Sequence, residues 1–414
     1  MINKRGVRVN SKKKWIGITI VIVLITNCLT FFASNVISVS IPNGKVIVPR
    51  TVYNSKDTFA KLFTVKDKLE QYYDGTINED KLLEGAIKGM TDSLQDPYTV
   101  YMNKKEWDSF NTQTEGAYVG VGLQVGVKDD KITVIAPFDG SPAKQAGILP
   151  GDIIEKVNDI DVVGKDLDKA VSMMKGNEGE DVKLTLDRPG KNSFEVKVKR
   201  SVIKMVTVTG EMLDSKIGYI KISMFDENTG DNFNKKLKEL QDKNMKGLIL
   251  DLRGNPGGLL KECVTVVSNF IPSGKEIVST IDKRNVKESI TSKGGTAINM
   301  PLVVLTDGGS ASASEIVCGA LRDYKAAMLI GEKTFGKGVV QTIFDTSGDG
   351  FGDGTALKVT ISKYYTPSGE NIHKIGIKPD LEVKYPEDLA DKPYDRKTDP
   401  QFNKALEVIK EKTK

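Results

Sequence analysis

Strands alternating with helices predict a multidomain α/β protein for this chain of 414 residues. Three observations carry that prediction. From Ser201 onward, apolar runs at Ile217–Ile222, Gly247–Leu252, Leu302–Thr306 and Met328–Ile330 read as strands. Helical patterns at Asp231–Asn244, Leu259–Phe270 and Ser312–Asp323 separate or follow them, which predicts a core with a substantial parallel sheet. Between Glu115 and Arg200 the pattern changes to short β runs punctuated by glycine: Lys131–Ala136, Ile153–Val157, Val182–Leu186 and Phe194–Val198, with a helix at Leu167–Met174. Before that, Lys56–Tyr73 and Asn78–Leu94 carry apolar residues at helical spacing, with Asn78 placed to cap the second helix.

The elements follow in order from the amino end. Lys4, Arg5, Arg8, Lys12, Lys13 and Lys14 form a basic flank without an acid, and Trp15–Phe32 is a run without a charge. About 20 apolar residues cross a bilayer, and flanking Lys and Arg stay on the cytoplasmic side. The competing reading is a cleaved signal peptide, whose apolar region runs to only about 7–15 residues before a small-x-small site. The run here is longer, and Ala33-Ser34-Asn35 is a poor cleavage site, so 15–38 is expected to be an uncleaved anchor, with 1–14 cytoplasmic. Residues 39–55, with two prolines and little helical periodicity, read as a linker. At the other end, Pro400–Lys412 has a helical pattern within a charged tail.

Composition narrows the chemistry. The formal net charge is +5, and the six cations of the flank more than account for it. The rest of the chain therefore has no basic surplus of the kind a nucleic-acid partner requires. One histidine, His373, and three cysteines, Cys28, Cys263 and Cys318, leave no multi-His or multi-Cys zinc site. Cys263 and Cys318 each sit in apolar helical patterns that suit buried thiols better than a disulfide. There is no G-x-S-x-G elbow and no P-loop.

Three segments after strands carry chemistry. Asp251-Leu-Arg-Gly-Asn-Pro-Gly-Gly-Leu-Leu260 is a glycine-rich strand-to-helix turn of the sort that presents N–H groups to an anion, or simply a tight turn. Thr306-Asp-Gly-Gly-Ser-Ala-Ser-Ala-Ser-Glu315 offers Ser310, Ser312 and Ser314 at a helix start; Ser312-Ala-Ser-Glu315 also fits a capping box, and spacing does not choose among the three. In Gly331-Glu-Lys-Thr-Phe-Gly-Lys-Gly-Val-Val-Gln341, Lys337 lies between two glycines. A lysine serves as a base only when neutral, and an exposed one near pKa 10.4 is protonated at neutral pH. The functional reading therefore requires Lys337 to be desolvated, by neighbours such as Phe335 and Val339, with Gln341 placed to hold the amine.

Together these three segments resemble the carboxyl-terminal processing, or tail-specific, serine peptidases. Gly89-Met-Thr-Asp-Ser-Leu-Gln-Asp-Pro-Tyr98, Tyr364-Tyr-Thr-Pro-Ser-Gly369 and Ile372-His-Lys-Ile-Gly-Ile-Lys-Pro-Asp380 match the same pattern in family order. Ala117–Val125 and Gly140–Ile154 resemble a PDZ domain where the family has one. The resemblance implies a helical region over 56–114, a PDZ domain over 115–200 inserted before a crotonase-like α/β peptidase core over 201–385, and a tail over 386–414. It implies Ser312 as nucleophile, the central serine of its motif, Lys337 as general base and Gln341 as its support. The backbone N–H groups of Ala313 and Gly258, with Gly257 as the alternative, would form the oxyanion hole. Many members carry two asparagines where this chain reads Arg253-Gly254-Asn255, a minor departure. His373 falls in a segment that is structural in the family.

The resemblance also implies partners. The loop Tyr118–Leu123 looks like a carboxylate-binding loop, so Val119, Gly120, Val121, Gly122 and Leu123 are expected to hold the terminal carboxylate of a protein tail. The resemblance implies a homodimer; the basic flank and apolar run place the catalytic part outside the cytoplasm, and acyl transfer by a serine and a lysine needs no metal or organic cofactor. Two rivals stand beside this reading: a non-catalytic PDZ scaffold at the membrane, and an acyl-thioester enzyme on a similar core.

Overall fold

The structure, a computed structural model, describes residues 18–27, 30, 36–41, 44–188, 190–345, 351–390 and 394–414. Two units divide the chain, Met1–Gly85 and Ala86–Lys414. In the first, residues 18–27 are helical. The basic flank 1–14 and Cys28 lie outside the described residues, as does part of the expected anchor; among the described residues no helix is long and apolar enough to cross a membrane. The expected linker is instead structured. Strands β1 (Val36–Ile41) and β2 (Gly44–Pro49) form an antiparallel hairpin, and a helix begins at Arg50 and runs to Tyr72. The alternating β-branched residues of 36–48 outweigh the two prolines, one of which, Pro49, merely ends β2. The next helix, Glu79–Asp92, is capped as expected: the Lys81 N–H donates to Asn78 Oδ1 at 3.0 Å.

Beyond the helix Glu79–Asp92, whose later residues from Ala86 belong to the second unit, come β3 (Val100–Met102) and a helix, Lys104–Glu115. The glycine-punctuated segment then gives β4 (Ala117–Gly120), β5 (Leu123–Lys128), β6 (Lys131–Pro137), β7 (Ile153–Val157), β8 (Ile160–Asp161), β9 (Asp181–Arg188), β10 (Lys191–Lys199) and β11 (Ser201–Lys204). Its main sheet runs β10-β9-β7-β6-β5, while β4 pairs with β11. Ile132, Ile154, Leu184 and Leu186 fill a core of its own, with Ala170 and Met174 of the helix Leu167–Met174. β5 has β6 on one side and, among the described residues, no strand on the other.

The remaining strands are β12 (Val208–Met212), β13 (Ile217–Ile222), β14 (Gly247–Asp251), β15 (Glu276–Asp282), β16 (Lys287–Thr291), β17 (Leu302–Thr306), β18 (Met328–Gly331), β19 (Val339–Phe344), β20 (Ala356–Tyr365) and β21 (Leu381–Glu382). The expected parallel sheet is present in the order β12-β13-β14-β17-β18-β21, with only β12 antiparallel. Alternate residues of its strands face two apolar layers, as the pleat requires. Leu248, Leu250 and Val304 pack with Phe233, Val266 and Val317 of three helices. Ile249, Val303 and Leu305 pack with Phe402, Ala405 and Ile409 of the helix Pro400–Lys412. A second sheet, β16-β15-β20-β19, is antiparallel, and β3 joins it along β20.

Candidate active site

The three chemistry-bearing segments leave the carboxyl ends of three adjacent parallel strands. The turn 251–258 follows β14, the serine segment follows β17, and the lysine segment follows β18. In open α/β sheets this edge is where ligands bind.

Two of the three serines have their hydroxyls committed to the fold. Ser310, fully buried, donates to the Leu252 carbonyl at 2.9 Å and takes the Asp307 N–H at 3.0 Å. Ser314, also fully buried, donates to the Asn255 carbonyl at 3.0 Å. Ser312 is half-buried and its hydroxyl caps nothing. Its backbone, at φ 55° and ψ −112°, lies where an L-residue is strained, by about 1–3 kcal/mol. The surroundings fix it there: the Tyr364 hydroxyl donates to its carbonyl at 3.2 Å, and its N–H goes to Glu315 Oε2 at 2.9 Å.

Glu315 is the hub of the arrangement, and its wider part was not legible from the capping-box spacing. Fully buried, it accepts the Lys337 N–H on the same Oε2 at 2.8 Å. Its Oε1 takes the Gly336 N–H at 2.7 Å and the Thr334 hydroxyl at 2.6 Å. One carboxylate therefore fixes the backbones of both Ser312 and Lys337.

The Lys337 amine is half-buried, but not by the expected neighbours. Val339 is buried, whereas Phe335 is 58% exposed. The cover is Tyr98, whose ring centre lies 4.8 Å from Nζ. Tyr98 is held there from the far side of the chain: Thr99 Oγ1 donates to Asp96 Oδ2 at 2.7 Å and accepts the Thr360 N–H at 3.0 Å. Burial first, and the cation of Lys358 second, hold the Lys337 amine below the ordinary lysine range, against the opposing pull of Asp96 and Glu315. Lys358, itself lowered by burial, rests with Nζ 5.1 Å from the Phe110 ring centre. Among the described residues no hydrogen bond joins the Ser312 hydroxyl to the Lys337 amine.

Among the described residues no hydrogen bond joins Gln341 to that amine. Its Nε2 donates to the Val339 carbonyl at 3.3 Å. The reason lies in the pairing of β19 with β20, which slips between Val340 and Gln341 so that Gln341 faces Thr360 and folds back on its own strand. His373 stands near the site with its ring centre 6.2 Å from that of Tyr98; burial and two lysines hold its pKa down. Cys263 and Cys318 are buried free thiols, pushed well above the thiol range by burial.

The glycine turn abuts the serine. A Cβ on Gly257 would stand 2.7 Å from Ser312 Cβ and 3.0 Å from the Ala313 nitrogen, and one on Gly258 would stand 2.1 Å from the Phe225 carbonyl oxygen. With φ of 104° and 136°, both positions need glycine. The Gly257 N–H is already taken by Asn255 Oδ1 at 2.9 Å. Gly258 is exposed, and neither its N–H nor that of Ala313 has a backbone acceptor among the described residues.

Asn255, wholly buried, ties this turn to the serine segment. Its carbonyl also accepts the Ala311 N–H at 3.0 Å, and its Nδ2 donates to the Ile222 carbonyl at 2.9 Å. Asn255→Ala should strand the Gly257 N–H and the Ile222 carbonyl, at about 1–3 kcal/mol each. Denaturant unfolding should therefore show a loss of about 2–6 kcal/mol; a loss below about 1 kcal/mol would mean that the turn holds without it.

In the glycine-punctuated unit, Val119 and Gly120 lie in β4, Val121 and Gly122 in the turn, and Leu123 opens β5. The N–H groups of Val121 and Gly122 have no backbone acceptor among the described residues. Beside them Tyr118, Val121, Leu123, Val171, Met174 and Lys175 line a small cavity of about 60 Å³.

Residues 216–383 match peptidase family S41, residues 133–188 match the PDZ domain, and residues 31–106 match the N-terminal domain of the activating protease CtpB. The chain is 38% identical over 377 residues to the carboxy-terminal processing protease CtpA of Bacillus subtilis, covering 91% of this chain and 78% of that one. It is 38% identical over 332 residues to CtpB of the same organism, covering 78% and 68% respectively. A solved structure of an S41-type protein from Bacteroides fragilis, 17% identical, shares the fold at a TM-score of 0.51 over 83% of this chain and 94% of that one.

Proposed function

Because the chain belongs to the carboxy-terminal processing proteases of peptidase family S41, and is thereby a PDZ-containing serine peptidase, we propose that Ser312 and Lys337 are its catalytic pair. The observation that carries this reading is the shared oxygen of Glu315, on which the N–H groups of both residues end at 2.9 and 2.8 Å. The commitment of the Ser310 and Ser314 hydroxyls elsewhere supports the choice of serine.

In this reading neutral Lys337 Nζ takes the Ser312 proton as Oγ attacks a peptide carbonyl carbon. The carbonyl oxygen becomes an oxyanion facing the N–H groups of Gly258 and Ala313. Collapse breaks the C–N bond, the leaving amine takes the proton from Lys337, and water cleaves the acyl ester with Lys337 again as base. The reading requires the Lys337 amine, which lies over the Tyr98 ring, to come within hydrogen-bond reach of Oγ. Gln341 supports β19 in this scheme and not the amine.

Selection of substrate falls to the PDZ domain, over 115–200. The open edge of β5 accepts the tail as an added strand, the N–H groups of the turn 119–123 face its carboxylate, and the cavity beside Met174 receives its last side chain. We place the anchor at 15–38 and the catalytic part outside the cytoplasm, on the strength of the charged flank and apolar run. The helix Arg50–Tyr72, with Phe59, Leu62, Phe63, Val65 and Leu69 exposed, supports a homodimer built on the amino-terminal unit.

The test is the full chain in detergent, incubated with an unfolded protein that ends in an apolar residue, its products read by mass spectrometry. Fragments should leave from the carboxyl end. Amidating that terminus should weaken capture by about tenfold or more, since a carboxylate held by N–H groups is worth more than about 1.4 kcal/mol. Equal cleavage of the free and amidated tails would remove the PDZ turn from recognition.

A further inference from the structure

Arg253 occupies the middle of the glycine turn, and the helix 400–412 holds it from the opposite face of the parallel sheet. Its Nη1 donates to Asp399 Oδ2 at 2.8 Å and to Gln401 Oε1 at 2.9 Å. Its Nε and Nη2 donate to Asp251 Oδ1 and Oδ2 at 3.0 and 2.7 Å. The two aspartates are at most 1% exposed. Tyr219 and Tyr394 complete the cluster, donating to Asp251 at 2.8 Å and to Asp399 at 3.0 Å. Asp399 divides its oxygens: Oδ1 caps the helix through the N–H groups of Gln401 and Phe402, at 2.9 and 3.0 Å, and Oδ2 serves Arg253. A cap alone needs one oxygen and no buried arginine. A buried ion cluster contributes little net stability but fixes its members in place.

We propose that Asp399 is a positioning residue for the active site: through Arg253 it holds the turn 251–258, and so sets where the Gly258 N–H points. The inference rests on the reading of Gly258 as an oxyanion donor. Helix 400–412 is then part of the catalytic apparatus, although it lies behind the sheet from the serine helix.

The experiment is Asp399→Asn in the full chain. Asparagine has one carbonyl oxygen, caps helices as well as aspartate does, and brings no charge to Arg253. The expected result is a kcat lower by about tenfold or more, with KM for a tail substrate within about twofold. Affinity for a peptide boronate, whose tetrahedral oxygen sits where the oxyanion forms, should fall with kcat. Hydrogen exchange should quicken at 254–258 and stay slow across 400–412. Unchanged exchange at 254–258 overturns the latch. Faster exchange there with kcat and boronate affinity unchanged overturns the role of Gly258 instead. Tyr394→Phe, which removes one donor to the same oxygen at an exposed residue, should move the same readouts the same way by smaller amounts and covers the case in which Asp399→Asn does not fold.

Discussion

Ser312→Ala and Lys337→Ala should each lower the cleavage rate by about 10,000-fold or more, because members of such a pair act as a unit and their losses do not add. The double variant should be no worse than either single one. The pH dependence identifies the base. Protonated Lys337 is inert, so kcat/KM rises with pH along a limb set by the amine in the free enzyme. Burial and Lys358 push that amine down, Asp96 and Glu315 push it up, and the first two prevail. The limb therefore lies below the pH at which an exposed lysine titrates. Lys358→Met removes a neighbouring cation, relieves its repulsion of the protonated amine, and should move the limb towards alkaline pH. Lys358→Arg keeps the charge and should leave the limb in place. The groups facing the amine also include the Tyr98 ring, which neither substitution touches. A limb that ignores Lys358→Met would assign it to another group, and full activity in Lys337→Ala would end the Ser–Lys reading.

Glu315 should be nearly as costly to lose. Both its oxygens are filled, Oε1 by Thr334 and Gly336 and Oε2 by Ser312 and Lys337. Glu315→Gln puts an NH₂ group against two donors whichever way the amide turns. Glu315→Ala strands three N–H groups and a hydroxyl in the interior, and should cost about 3–5 kcal/mol in denaturant unfolding. Where either variant folds, the rate should fall by about 100-fold or more, since a displacement of 1 Å at a reacting pair has that effect. A folded Glu315→Gln enzyme within threefold of the parent would show that the two backbones hold their places without the shared carboxylate.

What the sequence made legible follows from how each element is buried. β17 is covered on both faces, so Leu302–Thr306 reads as an apolar run, and β13 is buried except at Lys221, so Ile217–Ile222 reads as a strand too; the structure gives both the same limits. The antiparallel sheet was harder to see. Lys287–Thr291 is largely exposed, and β20 pairs with β3 at Val100–Met102, too far along the chain for any local pattern to announce. The hairpin at 36–49 was hidden by its prolines. Within the site, spacing could not single out Ser312, because the acceptors that occupy Ser310 and Ser314 are Leu252 and Asn255, more than fifty residues away. The Tyr98 cover over Lys337 was invisible for the same reason, and the slip in pairing that turns Gln341 aside leaves no mark in composition.

The contact between Thr99 and Thr360 spans 261 positions, and it sets an order of events in time. A chain made from its amino end completes residues 117–204, with their own core, long before it reaches 356–360. Until those residues arrive, the contact that holds Thr99, next to the Tyr98 cover of Lys337, cannot form. Closing so long a loop is also slow, since its entropy must be lost before the contact repays it. On the proposed reading, the growing molecule thus completes the unit that would recognise a tail well before the pair that would cut one.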